Sequence, residues 1–97
     1  MAKVLISDQL SERALEIFQE RGLEVDFMPG LPAGEQIKII GKYDGLAIRS
    51  ATKVTAEMLS AAYNLKVIGR AGIGVDNVDV SAATSRGVVV MNTPHGN

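Results

Sequence analysis

The sequence predicts an α/β fold built on a five-stranded parallel sheet with helices on both faces. Two observations carry this. Five short apolar runs alternate along the chain with stretches of helical periodicity, as when parallel strands are joined by right-handed crossovers. One run, Leu23 to Phe27, alternates strictly between apolar and acidic residues, which marks a strand with one wet face and so a sheet edge. An edge strand that is second in sequence fits the flavodoxin-like order 2-1-3-4-5.

Lys3–Ser7 is the first strand, a short apolar run. Leu10, Ala14 and Phe18 recur at helical spacing, with Leu15 and Ile17 widening the stripe, and Gly22 stands where a helix-terminating glycine belongs. The charges from Glu12 to Arg21 form a solvated face. A second helix is expected over Glu35–Lys42, with Ile37 and Ile40 inward and Gly41 weakening its end. Gly45–Ile48 is the third strand. Thr55 is an N-cap for the next helix, with Val54 and Leu59 as a hydrophobic staple across it. Leu65–Ile68 is the fourth strand, Asp79–Arg86 a short helix closed by Gly87, and Val88–Met91 the fifth strand. Met58 and Met91 are expected to be packing residues.

With 97 residues and no linker or repeat, residues 1–97 are expected to form a single domain. A formal net charge of −1 argues against a nucleic-acid binder, so any bound anion must be held by a local cluster of cations and amides. The absence of cysteine excludes thiolate chemistry and disulfides. Met1–Ile6 is too short an apolar run for a signal-peptide core, and no run approaches a membrane span, so a cytoplasmic protein with no membrane partner is expected.

Ligands of open α/β sheets bind beyond the carboxyl ends of the strands. Here those ends are Ser7-Asp8, Arg49-Ser50, Arg70 to Gly72 and Asn92-Thr93. Two arginines on neighbouring strands would offer planar forks suited to carboxylate or phosphate. The competing reading makes each arginine structural, capping a helix or paired with Asp8, Asp44 or Asp76, and position alone leaves both open. The segment Gly69 to Asp79 carries three glycines after a strand, which bring backbone amides close to a ligand. Gly72 and Gly74 begin a dinucleotide fingerprint, but Asn77 occupies the third glycine position and the expected ribose-binding acid is missing. Amides for a small carboxylate fit better, with a glycine turn built for packing as the bland alternative. His95 reads as a solvated loop histidine, Asp79 as a helix cap, and Asp76 with Asp79 is too few ligands for a metal.

Three segments in order, Arg49–Thr55, Gly69–Asp79 and Met91–Asn97, together with the first-strand pattern Lys3–Asp8, resemble the D-2-hydroxyacid dehydrogenases, and the resemblance runs through all 97 residues. Within that family the similarity is to the branch that oxidises 3-phosphoglycerate to 3-phosphohydroxypyruvate with NAD, at the entry to serine biosynthesis. It implies that this chain is a substrate-binding domain, with the NAD-binding Rossmann domain and a carboxy-terminal return segment lying beyond residue 97. On matching positions, Arg49, Ser50 and Arg70 resemble substrate-phosphate and pocket residues. The amides of Ala71, Gly72, Ile73 and Gly74 resemble the carboxylate-binding loop, and Asn97 a pocket residue at the hinge. No residue here matches the family's catalytic set, so no catalytic residue, bound cofactor or metal is expected in this chain. The expected partner is a small phosphorylated hydroxyacid, with a homodimer through an apolar face left uncovered by the return segment. Rival readings are another D-2-hydroxyacid dehydrogenase, an engineered flavodoxin-like binding module, and a receiver-like signalling module. The last would need an aspartate ending the third strand, where Arg49 stands.

Overall fold

The computed structural model describes residues 2–10, 12–71 and 77–93. Its elements run β1 (Lys3–Ile6), α1 (Glu12–Glu20), β2 (Glu24–Phe27), α2 (Ala33–Ile39), β3 (Gly45–Ile48), α3 (Ala56–Ala61), β4 (Val67–Ala71), α4 (Val80–Ser85) and β5 (Val89–Thr93). All strand pairs are parallel, and the sheet order is β2-β1-β3-β4-β5, as the sequence predicts.

The pleat divides the core in two. Leu5, Leu46, Ile48 and Ile68 face α2, α3 and α4 and pack with Ile40, Val54, Met58, Leu59 and Ala83. Val4, Ile6 and Ala47 face the other way, against Leu10, Leu15 and Phe18 of α1 and its approach. Complete burial of a residue such as Leu5 or Ile68 contributes about 1.5–3 kcal/mol, so the larger layer supplies most of the apolar stabilisation. Thr55 caps α3 as expected, its hydroxyl accepting from Met58 N at 3.1 Å, and Val54 and Leu59 are both buried. Asp79 caps α4 by accepting from Ala82 N at 3.0 Å. Gly22 and Gly87 take φ of 77° and 76°, the left-handed conformation that ends α1 and α4.

Several boundaries differ from the sequence reading. The fourth and fifth strands begin after Leu65 and Val88, although both side chains are buried. Apolar character marks burial, whereas the ladder starts where a neighbour offers a partner, at Gly45↔Val67 and Val67↔Val89. The second helix begins earlier, at Ala33, and tightens into a 3-10 turn over Ile40–Lys42. Gly41 sits in that turn because a Cβ there would lie 3.0 Å from the Ala61 carbonyl oxygen. β2 is the edge strand, but its wet face is not the acidic one throughout: Phe27 is 41% exposed, while Asp26 is half-buried and accepts from the Tyr43 hydroxyl at 2.6 Å. Burial and then the Asp26 carboxylate hold the Tyr43 phenol well above the usual tyrosine range.

Met91, expected to pack, is instead 51% exposed, and Val89 is 57% exposed. Val89 and Met91 stand in register with Val67 and Gly69 on the face that carries α1, and α1 reaches only the β2, β1 and β3 side of it. Among the described residues nothing covers this strip.

The amino ends of the strands are tied by Asp44. Its carboxylate accepts from Lys3 N at 2.9 Å and from Lys66 Nζ at 3.4 Å, linking β1 and β3 to the start of β4. The Lys3 amide, with a smaller contribution from Lys66, holds this carboxyl below the usual aspartate range. A lowered native value means that the stabilisation is full above the unfolded pKa and is lost as pH falls through the native one. Asp44→Asn should therefore lower the midpoint of urea unfolding at neutral pH. The gap from the parent should close below about pH 4, the ordinary aspartate range, and a gap unchanged across an acid titration would contradict this role.

Candidate functional site at the carboxyl edge of the sheet

Parallel strands bring Ser7-Asp8, Arg49-Ser50 and Arg70-Ala71 to one edge. β3 and β4 are bonded neighbours with Ile48 opposite Arg70, and Arg49 follows directly on that last bonded pair. The two arginines expected at the ends of neighbouring strands are therefore at the same edge of the sheet, one position apart in register. Arg49 and Ser50 are exposed, and Arg70 and Ala71 are half-buried. Gly72, Ile73, Gly74 and Asn97 of the expected site lie outside the described residues, as do Asp76 and His95.

A polar frame beneath the arginines holds the turn after β3. Asp8 is only 4% exposed, yet no cation neutralises it among the described residues. Its Oδ2 accepts from Arg49 N at 2.7 Å and Thr52 N at 3.0 Å, and its Oδ1 accepts from Thr52 Oγ1 at 2.7 Å. Thr52 thereby spends its one hydroxyl proton, so at the 2.8 Å contact between the two hydroxyls Ser7 donates and Thr52 accepts. Asn77 closes the frame from the opposite side. Its amide nitrogen donates to Arg49 O and Thr52 O, both at 2.6 Å, and its oxygen accepts from Arg70 Nε at 2.6 Å. The Asn77 backbone is pinned in turn, with Val54 N donating to Asn77 O at 2.8 Å beside the Val54↔Val78 bridge.

These bonds bear on two of the three acids named as partners for Arg49, Asp8 and Asp44, while Asp76 lies outside the described residues. Asp8 accepts the backbone amide of Arg49 and not its guanidinium, and Asp44 lies at the opposite end of the strands with Lys3 and Lys66. Among the described residues the Arg49 guanidinium has no hydrogen-bond or ion-pair partner, so its fork is presented to solvent at the mouth of the edge. Arg70 is oriented through Nε by Asn77. The frame thus binds the backbone of Arg49 and not its guanidinium, while Asn77 holds Arg70 through Nε. Among the described residues no group of three or more His, Asp or Glu is placed to hold a metal ion, and no helix is long and apolar enough to cross a membrane.

Sequence reasoning missed Asp8, Thr52 and Asn77 as the frame. Asp8 was visible as a strand-end residue and a candidate ion-pair partner, and Asn77 only as the residue that breaks a glycine fingerprint. Their side-chain contacts span 25 to 45 positions in sequence, beyond any local spacing rule, except the one from Arg70 to Asn77, seven apart.

The family model for D-isomer specific 2-hydroxyacid dehydrogenase, catalytic domain, matches residues 4–97. D-3-phosphoglycerate dehydrogenase of Archaeoglobus fulgidus is 50% identical over 95 residues, 98% of this chain and 18% of that protein. The human protein of the same name is 52% identical over 97 residues, 100% of this chain and 18% of its own length. Among solved structures, a Pyrococcus horikoshii protein superposes with a TM-score of 0.91 at 32% identity, covering 96% of this chain and 28% of that one. The NAD+-bound 3-phosphoglycerate dehydrogenase of Entamoeba histolytica superposes with a TM-score of 0.85 at 32% identity, covering 95% and 32%. The chain thus spans less than a fifth of the length of the curated relatives it matches.

The frame and the forks should separate in a stability measurement. Asp8→Ala orphans three donors, and its loss should cost about 1.5–3 kcal/mol in urea unfolding, with Thr52→Val costing about 1 kcal/mol. Arg49→Ala, at an exposed position, should stay within about 0.5 kcal/mol of the parent. Equal losses at Asp8 and Arg49 would show that the guanidinium is structural after all.

Proposed function

This chain belongs to the D-isomer specific 2-hydroxyacid dehydrogenase family, and from that premise we propose that it is the substrate-binding domain of an NAD-dependent D-3-phosphoglycerate dehydrogenase. The enzyme's reaction would be oxidation of 3-phosphoglycerate to 3-phosphohydroxypyruvate for serine synthesis, in the cytoplasm. The observation that carries this reading is the Arg49 guanidinium, without a partner among the described residues, at the carboxyl edge that also carries the oriented Arg70. The names of relatives about 50% identical across nearly the whole chain support the choice of a phosphorylated substrate over a plain hydroxyacid.

The chain's own residues would bind and orient. Arg49, with Ser50, meets the phosphate at the exposed lip, and Arg70 with the amides from Ala71 to Gly74 takes the carboxylate. Asn97 completes the pocket in this reading. Fixing both ends of a short acid presents the carbon between them in one orientation, which is what a positioning domain contributes to hydride transfer. NAD does not fit the residues at this edge. The third glycine position of the fingerprint holds Asn77, buried and with its side chain committed to Arg49, Thr52 and Arg70. β5 ends in Met91, Asn92 and Thr93, with no carboxylate for a ribose hydroxyl. In this proposal the cofactor and the acid/base group are held by parts of the enzyme outside these residues.

The test is a titration followed by NMR, comparing 3-phosphoglycerate with plain glycerate. Shifts should centre on residues 49–50 and 70–74, with weaker binding of glycerate. Arg49→Ala should remove about 1.5–3 kcal/mol of binding, a charged hydrogen bond's contribution, and leave stability intact. Arg49→Lys should restore part of it, since a point charge cannot reproduce the fork. Shifts elsewhere, or indifference to the phosphate, would overturn the assignment. The 97-residue chain should also form no NADH from 3-phosphoglycerate, and a measurable rate would overturn the placement of hydride chemistry elsewhere.

A further inference from the structure

Beyond the last bonded pair of β3 and β4, Ile48↔Arg70, the sheet ladder no longer determines where the backbone at Arg49 lies relative to β4. Asn77 takes over that task. It is 8% exposed, and its amide group is engaged in both senses: two short donations to the carbonyls of Arg49 and Thr52, one short acceptance from Arg70 Nε. The orientation of the amide follows from chemistry alone. Carbonyl oxygens only accept and a guanidinium only donates, so the nitrogen must face the turn and the oxygen must face Arg70. One side chain thus grips the backbone that carries the first arginine and the guanidinium of the second.

We propose that Asn77 is the positioning residue of the anion site, setting the separation of the two arginine forks and thereby selecting an acid that spans both. The proposal rests on the substrate reading above and adds to it. Asn77 need not touch the ligand. Its effect is on the geometry between Arg49 and Arg70, and it should matter for a ligand that engages both and little for one that engages a single fork.

That distinction gives a test that general destabilisation does not imitate. Asn77→Asp keeps the shape and the acceptor for Arg70 Nε, but turns a carboxylate oxygen toward two carbonyl oxygens in place of the donors. It should shift the amide signals of residues 49–52, leave the hydrogen-bonded Arg70 Nε–H signal in place, and weaken 3-phosphoglycerate binding on the order of tenfold. In Asn77→Ser, which adds no charge and whose hydroxyl can keep one of the three bonds, binding of inorganic phosphate should change much less than that of 3-phosphoglycerate. This comparison also stands should the aspartate variant not fold. Equal losses for both probes in Asn77→Ser, or wild-type affinity for 3-phosphoglycerate in the variants, would overturn the positioning role. If the wild type binds and Arg49→Ala does not, while the Asn77 variants bind normally, this inference alone fails. If the wild type binds neither probe, the anion-site reading fails and takes the positioning role with it.

Discussion

Because all five strands run parallel, every connection must carry the chain back across a face of the sheet, and every strand ends at the same edge. That constraint organises the rest. It concentrates the ends of β1, β3 and β4 into one place, and it forces α1 onto one face and α2, α3 and α4 onto the other. It also leaves the carboxyl edge without hairpins to satisfy its backbone groups. The turn after β3 must find its partners among side chains, and the frame of Ser7, Asp8, Thr52 and Asn77 is the answer this sequence supplies.

The frame explains how the carboxyl edge can bury an acid beneath Arg49 without taking up its guanidinium. A buried carboxylate is costly unless hydrogen-bonded. Asp8 meets that cost with two backbone amides and a hydroxyl, so an acid sits directly beneath Arg49 and yet leaves its guanidinium alone. The opposite end of the strands is held by a different solution, with Asp44 taking one amide and one lysine, and Tyr43 closing over Asp26. The amino end thus uses its charges on itself, while at the carboxyl edge the Arg49 guanidinium has no partner among the described residues.

The two faces of the sheet are unequal for the same topological reason. The α2–α4 layer contains most of the buried apolar residues, whereas α1 alone packs on the other side and reaches no further than β3. Val89 and Met91 are exposed because they belong to that second face at the far edge, opposite Val67 and Gly69. A methionine amid strand residues looks like core in one dimension, and only the sheet order shows that nothing described here lies over it.

Local chemistry determined a good deal by itself. The alternation of elements, the edge position of β2, the Thr55 and Asp79 caps and the terminating glycines Gly22 and Gly87 all follow from periodicity and backbone preference, which act within a few residues. The placement of Arg49 and Arg70 at the ends of neighbouring strands followed from the predicted strand order. Strand ends were less legible, because burial and pairing begin at different residues, as Leu65 and Val88 show. What only the tertiary structure decided was which polar groups meet. Asp8 could equally have paired with a guanidinium, and Asn77 read as a flaw in a glycine motif. Hydrogen bonds depend on angles and ångströms between segments tens of residues apart, and sequence spacing carries no record of that distance.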